Sequence, residues 1–77
     1  RLLALTEHCF TVIWGPSTPL CPALLEMGAD ALLGNMVSES RQVMRIAGEG
    51  GYFQDFSAHA CSVTWFRDLE TAKLFAR

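Results

Sequence analysis

Charge is scarce in this chain, and its scarcity narrows the possibilities first. Only 18% of the 77 residues are charged, against about 25% in an ordinary soluble domain. The six basic residues are scattered and the formal net charge is −2, so there is no electrostatic footprint for DNA or RNA. Long hydrophobic runs are missing as well. A membrane helix requires about 20 consecutive apolar residues, and nothing here approaches that length or has the layout of a signal peptide. Cysteine is limited to Cys9, Cys21 and Cys61, an odd number without C-x-x-C spacing. That pattern suggests neither a disulfide framework nor a zinc knuckle, and free thiols suit a reducing cytoplasm. The phosphate-gripping signatures G-x-G-x-x-G and Gly-Lys-Ser/Thr are both absent. No Ser/His/Asp spacing marks a nucleophile, and no residue set defines a reaction.

What is abundant is apolar surface. The chain is 51% hydrophobic, yet a domain of this size buries only about 60% of the surface its unfolded chain exposes. The mismatch, together with a start at Arg1 that has no capping residue ahead of it, predicts a fragment of something larger, or a module that packs on a partner.

Cys9 to Trp14 is a nearly unbroken run of apolar, β-branched and aromatic residues, the pattern of a strand covered on both faces. Gly15 and Pro16 end it. Ser17, Thr18, Pro19 and Pro22 supply the hydroxyls and prolines of a helix start. The junction therefore reads as the carboxyl end of a strand, where α/β sheets place ligands. Leu2, Leu3 and Leu5 read as the last turns of a preceding helix. Cys21 to Met27 reads as a short helix stopped at Gly28, and Ala31 to Leu33 as a brief strand leaving through Gly34 and Asn35.

Ser38 and Glu39 look like a helix cap and a first-turn acid, followed by an apolar stripe of Val43, Met44, Ile46 and Ala47 with Arg41, Gln42 and Arg45 on the wet side. Gly48 to Gly51 ends that helix. Residues 52–60 show no sustained period and read as a packed loop, with Asp55 a turn residue. Cys61 to Phe66 alternates as a strand near a sheet edge, and Arg67-Asp68 caps a final helix from Leu69 to Ala76. Alternating helices and strands imply an α/β fold: a small three-layer unit with a short, mostly parallel sheet and right-handed crossovers.

The run Val12-Ile13-Trp14-Gly15-Pro16-Ser17-Thr18-Pro19-Leu20, followed by Leu25-Glu26-Met27-Gly28-Ala29-Asp30, then Gly34, Val37 and Gly50-Gly51, resembles the C-terminal domain of the putative heavy-metal chelation family over about residues 1 to 65. The resemblance implies a Rossmann-like half-domain, normally paired with an upstream enolase-like cap, with a candidate active site in the cleft between the two. Residues 1–77 would then form that single C-terminal domain without its cap.

At the junction, backbone N–H groups with the Ser17 and Thr18 hydroxyls could meet an anion at a helix start, although two prolines remove two donors. Gly15, Pro16, Ser17 and Thr18 are thus candidate ligand contacts, and Asn35 a second contact beside them. A tight structural turn explains the same residues without a ligand. His59 and Cys61, two apart, could face a soft metal together, but two ligands do not make a site when zinc usually takes four, or three and a water. The functional expectation is binding of a metal ion, or of an anionic or metal-containing small molecule, at Gly15 to Leu20. The alternative is an interaction module that oligomerises through its apolar surface.

Overall fold

The computed structural model describes residues 1–15, 20–57 and 59–75; in the long helix the side chains at 20–30 and 32 lie outside that description. The elements run β1 (Leu2–Leu5), β2 (Cys9–Ile13), α1 (Leu20–Ile46), β3 (Tyr52–Ser57), β4 (Ser62–Phe66) and α2 (Leu69–Phe75). The strands form one four-stranded sheet in the order β1-β2-β4-β3, and every pairing is antiparallel.

This corrects the parallel, Rossmann-like α/β half-domain that the sequence suggested. The deciding facts are local. Leu2–Leu5 is a strand paired with β2, not a helix end, and residues 52–57, read as a loop, form β3. With β1 and β2 joined by a tight turn, and β3 by another to β4, both connections are hairpins that need no crossover helix.

The first hairpin turns at Glu7 and His8, an exposed pair. Thr6 closes it: its N–H and its hydroxyl both donate to the Cys9 carbonyl, at 2.9 and 2.7 Å, and the hydroxyl accepts from the Cys9 N–H at 3.1 Å. The pairing β2·β4 places Phe10 opposite Trp65 and Val12 opposite Val63. These four are buried and form the centre of the core. β4 is consequently a central strand, not an edge strand as its alternation suggested. Its second face is also covered, for Ser62 and Phe66 are buried too.

α1 lies across the Phe10/Trp65 face through Met36, Ser40 and Met44, one residue per turn and all buried. Gly28, Gly34 and Asn35, read as breaks, and Ser38, read as a cap, are interior positions of this one 27-residue helix. A helix-interior glycine costs only about 1 kcal/mol relative to alanine, which packing on the sheet offsets. The expected stripe is also rotated, since Ile46 is 88% exposed.

α1 ends where the glycines predict. Glu49 N–H donates to the Met44 carbonyl at 2.8 Å and Gly48 N–H to the Arg45 carbonyl at 3.1 Å, with Gly48 at φ +76°. That bond pair and a left-handed glycine are the Schellman arrangement. Gly51 is required for another reason: a Cβ there would stand 2.3 Å from the Phe66 carbonyl oxygen.

Arg67 ties the hairpin turn to the end of α1. Its backbone N–H donates to the His8 carbonyl at 3.0 Å and its Nε–H to the Thr6 carbonyl at 2.8 Å. Its Nη1 donates to both Glu49 carboxylate oxygens, at 3.1 and 3.0 Å, and the guanidinium lies 5.6 Å from the centre of the Phe10 ring. Asp68 caps α2 as expected, accepting the Thr71 N–H at 2.7 Å. That bond holds the Asp68 carboxyl below the usual carboxylate range. Phe75 of α2 stacks on Phe66 at 5.4 Å, on the face opposite α1.

Candidate functional site

The strand-to-helix junction is built on the end of β2. After Ile13 the Trp14 N–H still donates across to the Cys61 carbonyl at 3.0 Å, extending the ladder by one bond. Gly15 then takes φ +106°, a conformation that side-chain-bearing residues rarely adopt. A Cβ at Gly15 would meet nothing within 4 Å, so the backbone angle, not space, calls for glycine here. The chain resumes in description at Leu20, where α1 begins with no acidic residue in its first turn. No carboxylate of that first turn therefore offsets the positive end of the helix dipole.

Beside the junction stands a polar cluster that sequence reading did not anticipate. The Trp14 indole N–H donates to Glu39 Oε2 at 3.2 Å, and the other Glu39 oxygen pairs with the Arg1 guanidinium. Glu39 is half-buried on α1, so the cluster pins the exit of β2 against that helix. Both oxygens of the carboxylate are committed to this bracing. The only sequence signal was the placement of an acid at position 39, which a helix cap explained equally well.

The predicted site residues separate. Gly15 occupies the junction. Pro16, Ser17 and Thr18 lie outside the described residues. Asn35 is exposed in the middle of α1, roughly 22 Å of helix after Leu20, so the structure does not set it beside the loop as a strand exit would have done.

His59 and Cys61 do not share a strand face. They belong to the turn between β3 and β4, with His59 exposed and Cys61 buried at φ +50°. Cys61 is moreover disulfide-bonded and has no thiolate to offer a metal. Its state also removes part of the argument from free thiols for a reducing compartment. Cys9 is a free thiol, half-buried, whose Sγ–H donates to Gln54 Oε1 at 3.6 Å. Among the described residues, no group of three or more His, Cys, Asp or Glu is placed to hold a metal ion. The described side chains thus do not fit a resident metal centre. No helix among the described residues is long and apolar enough to cross a membrane.

What these elements define is a small ββαββα domain. Residues 1–66 match the family described as putative heavy-metal chelation, and the chain belongs to that family. No curated protein and no solved structure matches it.

Proposed function

We propose that this chain binds an anionic small molecule at residues 15–20, and that any metal it handles arrives as cargo within such an anionic complex. The observation that carries the reading is the junction itself: a left-handed Gly15 follows β2, whose alternate residues are buried, and precedes a long helix whose first turn has no acid. Unpaired N–H groups at a helix start attract anions, and the Ser17 and Thr18 hydroxyls add neutral donors that suit carboxylate or phosphate oxygens. Family membership supports a metal in the cargo, and the lack of a three-donor cluster among the described residues favours a metal whose ligands come mainly from the small molecule. Replacing Ser17 and Thr18 together by alanine in the whole protein is expected to abolish metal retention, read by elemental analysis of the purified protein, while leaving the melting temperature unchanged. Retention equal to wild type would refute the role of the loop.

A second reading, association through apolar surface, is favoured by one specific observation. Leu2, Leu5, Ile46, Leu74 and Phe75 are all more than half exposed. Light scattering on a size-exclusion column decides it: a dimer or larger species supports this reading, and a clean monomer removes it.

A further inference from the structure

At the other end of α1 a second site takes shape. A cleft of about 300 Å³ is lined by Arg41, Met44, Arg45, Glu49, Gly50 and Gly51. That volume sits at the small end of the range for ligand pockets. We propose that this cleft binds a phosphate group, either as inorganic phosphate or as the end of a small phosphate monoester.

Three features converge on that chemistry. Arg41 and Arg45 are one helical turn apart on α1, so their guanidinium groups rise from the same helix face, and like charges at this spacing repel. Neither has a carboxylate partner among the described residues. An anion between them relieves that repulsion. The Arg41 guanidinium is also held in place, 5.3 Å from the centre of the buried Trp65 ring.

The one acid in the lining, Glu49, is already neutralised, because both its oxygens accept from Arg67 on the neighbouring strand end. The cleft keeps a net positive charge although the chain as a whole is negative. Two of the five arginines in a charge-poor sequence therefore line one small cavity in which the acid, Glu49, is already paired with Arg67.

The third feature is the floor. Gly50 and Gly51 line the cleft and carry no side chain, so an anion can come close to the backbone there. A planar guanidinium donates two parallel bonds to an oxyanion, and glycine backbone lets a tetrahedral phosphate approach closely beside it. Gly51 must be glycine for close packing against Phe66, which also keeps the floor of the cleft open.

Isothermal titration of the whole chain with inorganic phosphate, with glycerol phosphate and with sodium chloride at matched ionic strength tests the assignment. Saturable binding of a phosphate is expected. Arg45→Gln, at an exposed position outside the core, is expected to weaken it about tenfold or more, as the loss of a charge-assisted hydrogen bond does, and Arg45→Lys less. Tighter binding of glycerol phosphate identifies a monoester, and equal or weaker binding identifies the free ion. Because the loss is read in Arg45→Gln, at the opposite end of α1 from residues 15–20, it separates this cleft from the junction. No heat with either phosphate, a response reproduced by chloride, or an unchanged affinity in Arg45→Gln with wild-type circular dichroism would each overturn the proposal.

Discussion

Ser40→Ala is the most informative single perturbation of this fold. Ser40 is fully buried, and its hydroxyl accepts the indole N–H of Trp65 at 3.1 Å, the bond that joins α1 to the central strand β4. Its own proton goes to the Val37 carbonyl at 2.9 Å, a group that also serves the helix, so that second loss costs little. The alanine leaves the Trp65 N–H, on a residue 1% exposed, without a partner. An unsatisfied buried donor costs about 1–3 kcal/mol, and alanine's better helix propensity returns roughly 0.4 kcal/mol. A net loss of about 1.5 kcal/mol is expected, a large share of the ~5 kcal/mol a domain of this size has. With an m-value near 1 kcal/mol/M the urea midpoint should fall by roughly 1.5 M, read by tryptophan fluorescence. Ser38→Ala, exposed on the same helix, should change it by less than about 0.5 kcal/mol. In a Trp65→Phe background, where no N–H is left behind, the Ser40→Ala penalty should largely vanish. An equal penalty in both backgrounds would show that Ser40 and Trp65 do not meet and would refute this packing of α1 on β4.

Two further outcomes follow from the same geometry. Gly51→Ala should destabilise by about 2–3 kcal/mol in urea unfolding, because its Cβ would collide with the Phe66 backbone oxygen and neither strand can yield cheaply. The Asp68 cap should make α2 pH-sensitive: a carboxyl whose folded pKa is depressed contributes above its unfolded value of about 3.8 and loses that contribution as pH falls through the lower folded value. Helical signal from α2 should fray in that acid window, whereas Asp68→Asn, which still accepts the Thr71 bond, should be insensitive to pH there.

Some of the fold was legible in the chain and the rest was hidden for identifiable reasons. β2, the glycine stop at Gly48, the Asp68 cap and the strand character of residues 62–66 all follow from local chemistry that tertiary contacts do not override. β3 was invisible because of a register irregularity between Phe53 and Asp55. It brings Phe53 and Phe56, three apart, opposite Trp65 and Val63 of β4, so the period-two signal is lost. β1 was misread because Leu2, Leu3 and Leu5 fit a helix turn as well as a strand, and only pairing with β2 decides. In α1, Gly28, Gly34 and the serines offered three plausible breaks, and none is used. Ser38 looked like a cap, whereas two residues on Ser40 is the side chain that matters, as a core hydrogen-bonding group no helix-start rule would flag. The same limits apply to the sites. Gly15 was legible as the end of the strand from its Gly-Pro context, but Arg41 and Arg45 read as an ordinary wet face, and only the fold brings Gly50 and Gly51 beside them to line one cleft.

The antiparallel placement of β4 between β2 and β3 underlies every other statement about this molecule, and nuclear Overhauser contacts test it directly. Arg67 N–H bonds to the His8 carbonyl and Trp14 N–H to that of Cys61, which makes Thr11 and Thr64 a pair that exchanges no backbone bonds. Such pairs bring their α-protons close together. A strong Thr11 Hα to Thr64 Hα contact, with unbroken helical contacts from Ser38 back through Gly34, is the predicted result. Absence of that cross-strand contact, with sequential strand contacts at Ala31 to Leu33 in place of helical ones, would contradict the fold and return the chain to a parallel arrangement.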